Sequence, residues 1–121
     1  MKIVNPTAVF GEEEACKFLL KKGYNILERN FRKGYGEIDI IALYNHTLVF
    51  IEVKTRSSNK YGTPFEAISP QKLRLLVKGA NFYKYILHPD LPEEMRIDAI
   101  GVMVWGNEVL SIEHLENVSG F

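Results

Sequence analysis

The pattern of apolar residues predicts a mixed α/β fold, a β-sheet flanked by helices in the order α-β-β-β-α-β-β. Three observations predict it. Two segments place apolar residues at helical spacing, and five short segments are rich in Ile, Val, Leu and aromatic residues. The link between the third and fourth of those strands is long enough for a crossover, so the sheet should mix parallel and antiparallel pairs.

The first helix is expected from Thr7 to Lys22, stopped by Gly23. Ala8, Ala15 and Leu19 fall close together at 100° per residue and centre an apolar stripe. Glu13, Lys17 and Lys21 take the opposite face, with Glu13 and Lys17 spaced for an i,i+4 pair. Glu12 breaks the pattern, because it points into the stripe. An ionised carboxylate there is costly unless a cation meets it.

The first strand is expected over Tyr24–Arg32, followed by a turn at Lys33-Gly34-Tyr35-Gly36. Glu37–Leu43 and Leu48–Thr55 form the next two strands, joined by a hairpin turn at Tyr44-Asn45-His46-Thr47. A loop through Ser57, Ser58, Asn59, Gly62 and Pro64 comes next. The second helix starts at Ser69-Pro70, an N-cap with proline at the first helical position, and runs to about Leu87. Leu73, Leu76, Val77, Ala80 and Tyr83 form its stripe. Arg96–Trp105 and Glu108–Leu115 make a last hairpin around Gly106-Asn107.

Composition narrows the class without touching activity. The 121 residues should form one domain over 1–121, with an ordinary apolar share of 46% and charged share of 25%. Apolar runs are too short to span a bilayer, and the start lacks a signal-peptide pattern. A single cysteine, Cys16, suits a reducing compartment and a small core position, so the cytoplasm is expected. Net charge is zero, so a nucleic-acid surface would have to be a local patch. The first 60 residues hold ten Lys/Arg against seven Asp/Glu, a slight basic excess.

The chemistry sits on the central hairpin. If Asn45-His46 is a two-residue turn, opposed residues have numbers summing to 91, which sets Asp39 across from Glu52 and Glu37 across from Lys54. Glu52 and Lys54 share a face by strand alternation, so all four gather in one patch. A one-residue slip would separate them. Charged strand faces are ordinarily solvated, and Glu37 with Lys54 could be a simple cross-strand pair. The setting argues otherwise: Val49, Ile51 and Val53 fill one face, and Phe50 shares the face of Glu52. Two adjacent carboxylates repel unless a proton or cation lies between them. Asp39 and Glu52, with Glu12 reaching in from the helix, are the candidate ligands of Mg2+ or Mn2+, and Lys54 is the candidate partner of an attacking water.

These residues also carry a resemblance. Gly36-Glu37-Ile38-Asp39-Ile40-Ile41-Ala42 and Leu48-Val49-Phe50-Ile51-Glu52-Val53-Lys54-Thr55-Arg56 look like the YraN-like family. So do Gly11-Glu12, Ala15, Phe18-Leu19 and Ile112-Glu113-His114. By resemblance that family belongs to the PD-(D/E)xK superfamily, with a restriction-endonuclease-like fold, and is similar to archaeal Holliday-junction resolvases. The resemblance implies that Asp39, Glu52 and Lys54 bind metal and activate water, and that Glu12 matches the helix acid. Leu73 stands where family members often carry glutamine after Pro-x-Lys; Gln71 lies two positions earlier.

Arg32, Lys33, Arg56, Lys60 and Lys72 are the candidate nucleic-acid contacts, a phosphate rim around the cluster, with Arg74 and Lys78 nearby. Tyr35, Tyr61 and Phe65 could stack on unpaired bases or pack on their own domain. His46, His88 and His114 have no metal-ligand spacing and read as ordinary. Asp98 reads as support for a basic residue. The leading reading is a metal-dependent nuclease acting on structured or branched DNA, with DNA favoured over RNA, no membrane partner and a symmetric homodimer among the expectations. The alternatives are a noncatalytic nucleic-acid-binding module with the same fold, or a protein-interaction scaffold whose charges form an internal network.

Overall fold

A computed structural model describes residues 5–57 and 68–119. Helix α1 spans Pro6–Lys21, followed by β1 (Asn25–Phe31), β2 (Ile38–Tyr44) and β3 (Thr47–Arg56). Helix α2 covers Pro70–Phe82 and widens into a π-turn at Tyr83–Leu87, and β4 (Met95–Trp105) and β5 (Glu108–Leu115) complete the fold. The expected order is found, and strand ends shift by no more than a residue. Lys60, Tyr61 and Phe65, with most of the loop named above, lie outside the described residues.

Local chemistry explains the boundaries. The Asn5 side chain accepts the Thr7 N–H at 3.0 Å with Pro6 at the first helical position, which starts α1 a residue before Thr7. Gly23, at φ +94, ends it. In α2, Ser69 Oγ accepts the Lys72 N–H at 3.0 Å. The second helix reaches Leu87 as expected, but its last turn is loose: His88 N–H bonds Tyr83 O, five residues back, at 2.9 Å.

The sheet runs β1-β2-β3-β4-β5. β3 and β4 are parallel, and the other neighbours are antiparallel, giving the mixed sheet expected from the crossover. Ala15 and Leu19 of α1 pack with Ile40, Val49, Ile51, Ile100 and Val102 on one face. Leu76, Ala80 and Tyr83 pack with Phe31, Ile41, Phe50 and Ile97 on the other. Covered on both sides, β3 is buried continuously from Leu48 to Val53. No helix among the described residues is long and apolar enough to cross a membrane.

One surface expectation changes. Glu13 binds Arg29 of β1 at 2.7 Å, and Lys17 turns to Glu14 at 3.0 Å, so the Glu13–Lys17 pair gives way to a guanidinium from a neighbouring element. A close approach also fixes Gly11 of α1 against β3. A methyl group there would lie 1.8 Å from Thr55 Oγ1 and 2.8 Å from its Cβ, a branched side chain that cannot swing aside. Gly11→Ala is expected to destabilise the protein by about 1–3 kcal/mol, measured by urea unfolding.

Candidate functional site

The site begins at the β2–β3 hairpin. Asn45 takes a left-handed φ of +55, and the pairs run from Tyr44–Thr47 through Ile41–Phe50 to Ile40–Ile51. Every pair sums to 91, as the two-residue turn requires. Past Ile40 the ladder changes. Asp39 Oδ2 accepts the Val53 N–H at 2.8 Å, so a side chain occupies the place of a backbone carbonyl.

Asp39 still meets Glu52: the two carboxyl groups lie within each other's electrostatic and hydrogen-bonding reach. Two adjacent anions repel, so the pair favours the protonated form of Asp39. Burial first, then the hydrogen bond and charge of Glu52, push the Asp39 carboxyl up to about 8, against the pull of the Val53 N–H. Glu12 adds to the rise through its charge.

Glu52 is 3% exposed, and a single oxygen, Oε2, meets Lys54 Nζ at 3.7 Å and Lys72 Nζ at 3.4 Å. Lys54 follows on the same strand face. Lys72 arrives from the first turn of α2, positioned by the Ser69 cap. Sequence reasoning put Lys72 on the phosphate rim; in the structure its ammonium reaches the central carboxylate.

Glu12 approaches from α1. Burial first, then the charges of Glu37, Glu52 and Glu13, raise its carboxyl above the ordinary value, with Arg29 opposing. Asn30, missed in the sequence, links Glu12 to its neighbour. It is held at φ +54 between the pairs Arg29–Ile40 and Phe31–Ile38, opposite Asp39. With its amide nitrogen facing the acids, it donates to Glu12 Oε1 at 3.0 Å and Glu37 Oε1 at 3.1 Å. Glu37 itself precedes β2, where Gly36 at φ +102 turns the chain, and it binds Arg32 Nε at 3.1 Å. It therefore does not extend the hairpin ladder to Lys54 as the turn arithmetic suggested.

Asp39 and Glu52 are two hard oxygen donors side by side, and a cation between them would relieve their mutual repulsion. That donor set fits an ion such as Mg2+, which takes one or two carboxylates and keeps its waters. Among the described residues, no group of three or more His, Cys, Asp or Glu side chains is gathered to hold a metal. Glu12 is coupled to the pair by charge and does not close a three-acid cage. Around it, Arg32 and Lys33 are exposed, and Arg56 is half-buried with Nη1 donating to Thr55 O at 2.9 Å. Tyr35 packs edge-on to Phe82, ring centroids 6.3 Å apart.

The opposite face of the sheet holds a second polar cluster. Asp98 is fully buried and accepts from Arg96 Nε at 2.8 Å, Arg96 Nη2 at 3.0 Å and Asn117 N–H at 2.9 Å. It also meets His114 Nε2 at 2.7 Å. Arg96 Nη2 reaches Tyr24 Oη at 2.7 Å, and Lys22 Nζ lies 2.8 Å from His114 Nδ1. An ammonium only donates, so Nδ1 accepts and Nε2 carries the proton given to Asp98. Asp98 does support a basic residue, Arg96. His114, read as ordinary, is its second partner; only the Arg96-x-Asp98 spacing hinted at the cluster.

The sequence profile of "Uncharacterised protein family UPF0102" matches residues 11–102, which include Glu12, Asp39, Glu52, Lys54, Lys72 and Asp98. A UPF0102 protein of Flavobacterium psychrophilum is 45% identical over 113 residues, covering 93% of this chain and 92% of its own. One from Persephonella marina is 42% identical over 105 residues, covering 86% and 87%. A third, from Caldanaerobacter subterraneus, is 51% identical over 85 residues, covering 69% and 70%. Matched over residues 11–102 and by relatives that cover most of its length, the chain belongs to the UPF0102 family.

Proposed function

We propose that this protein is a Mg2+- or Mn2+-dependent nuclease of the PD-(D/E)xK superfamily, hydrolysing phosphodiester bonds in structured or branched DNA. The observation that carries the reading is the adjacent Asp39–Glu52 carboxyl pair on neighbouring strands, with two lysines at the Glu52 carboxylate. Asp39 and Glu52 would hold the ion, with Glu12 beside them. When bound, such an ion polarises phosphate and lowers the pKa of an attacking water. Lys54 would orient that water and offset charge developing on the phosphate. Arg32, Lys33, Arg56 and Lys60 would contact flanking phosphates, which position a nucleic acid without reading its sequence. A homodimer would set two such sites on two strands.

A second reading also has an observation behind it. Glu52 is already neutralised by Lys54 and Lys72, as an internal ion-pair network of a binding module or scaffold would require. Calorimetric titration with Mn2+, followed by cleavage assays on branched, duplex and single-stranded DNA, separates the two. The nuclease reading expects Mn2+ binding and metal-dependent nicking. Lys54→Met is then expected to keep the metal and lose about 100-fold or more in cleavage rate. No Mn2+ binding at millimolar metal, with no nicking, overturns it in favour of the network.

A further inference from the structure

Glu52 presents one oxygen to two ammonium groups, and neither contact is tight. At 3.4 Å for Lys72 and 3.7 Å for Lys54, both exceed the roughly 2.7–2.9 Å of a strong charge-assisted hydrogen bond. A divalent ion on Glu52 would compete with both. The two lysines differ in how far they can yield. Lys54 is built into β3 two residues from Glu52 and on the same face, so its stem stays beside the carboxylate. Lys72 comes from another element, and its backbone is pinned through the Ser69 cap at 3.0 Å. Its side chain is 34% exposed, more than the 27% of Lys54.

We infer that Lys72 is the resident counter-ion of Glu52, displaced when a divalent ion takes the carboxylate and released toward the substrate phosphate. This rests on the nuclease reading and assigns Lys72 a place in it. The released ammonium sits in the first turn of α2, where the helix dipole disfavours a cation that has no anion to meet. A phosphate held by the metal supplies that anion. Lys72 thus keeps a buried carboxylate neutral in the empty protein and becomes a substrate contact in the loaded one. Metal and substrate binding are coupled through one side chain, which makes Lys72 a substrate-binding residue.

The test uses the full chain and Mn2+ alone as probe. Mn2+ affinity is measured for wild type, Lys72→Met and Lys72→Gln, following free Mn2+ by electron paramagnetic resonance. Removing the competing ammonium is expected to tighten Mn2+ binding about fivefold or more. In parallel, wild-type lysines are labelled with acetic anhydride, with and without saturating Mn2+, and read by peptide mass spectrometry. Labelling of Lys72 is expected to rise several-fold with Mn2+ relative to Lys54. Equal or weaker Mn2+ binding by both variants, with Lys72 labelling unchanged by metal in the wild type, overturns the inference and leaves the nuclease reading standing. A wild type that binds no Mn2+ overturns both, and Lys72 is then a permanent partner of Glu52. Should the variants fold poorly, the wild-type labelling decides.

Discussion

Asp39→Asn will bind no divalent ion at concentrations that saturate the wild type, yet in metal-free buffer at about pH 9 it will melt higher than the wild type. The asparagine reproduces the protonated acid: its oxygen can accept the Val53 N–H, and its amide can donate to Glu52. What it lacks is the second negative charge a metal needs. The sign of the pH effect follows from the raised carboxyl. An aspartate that titrates near 3.8 in the unfolded chain and about 8 in the fold binds a proton on folding. The stability from that proton is complete below the unfolded value and is lost as pH rises through the folded one. Wild-type stability without metal should therefore decline from about pH 4 to about pH 8, and that of Asp39→Asn should stay nearly flat. Saturating Mn2+ should lift the wild type by about 2–3 kcal/mol at a hundredfold excess over Kd and leave the variant unmoved. Metal-dependent cleavage should fall on the order of 1,000-fold. Thermal melts across pH, with and without Mn2+, read the first effects and a nicking assay the last. A wild-type melting temperature that stays flat from acid to alkaline pH, or a variant that keeps its metal response, would show that the pair does not favour a protonated Asp39 or does not hold the metal.

The second large effect lies on the other face of the sheet and concerns stability alone. Asp98→Ala is expected to cost about 3–5 kcal/mol, because half-buried Arg96 loses its two-pronged carboxylate and keeps only the more exposed Glu116 at 3.4 Å, while His114 and Asn117 N–H lose their acceptor. For a domain of this size that is a fall on the order of 10–20 °C in melting temperature. Burial alone would raise the Asp98 carboxyl, but the hydrogen bonds from His114, Arg96 and Asn117 N–H outweigh it and hold the carboxyl below the usual aspartate value. Its stabilisation is thus present above the ordinary aspartate range and is lost as pH falls through the lowered value. The Asp98→Ala deficit should shrink in acid, opposite in sense to the Asp39 effect. It should also be the same with and without Mn2+, since the cluster shares no side chain with the carboxylate pair. A deficit that grew on adding Mn2+ would join the two clusters into one site.

The contrast between the clusters shows where sequence reasoning reaches. The Asp39–Glu52 contact was legible because it depends on a short turn: Asn45-His46 sets the register, and strand alternation carries it outward. The helix stripes were legible for the same reason, as they are periodicities of adjacent residues. The Lys72–Glu52 contact spans twenty residues of chain, and Arg96–Tyr24 and Lys22–His114 span 72 and 92. No spacing encodes those. Asn30 was invisible because its role depends on a left-handed backbone that brings α1 and the turn before β2 to one amide.

By itself, the sequence determined the element order, the hairpin register and the candidate carboxylates, because local periodicity and turn chemistry act over a few residues. Tertiary structure alone decided which cations meet Glu52, how Glu12 is held and that Asp98 anchors a separate cluster. Those outcomes follow from the packing of α1 and α2 on opposite faces of the sheet, where burial forces each charged group to find whatever partner the fold brings within reach.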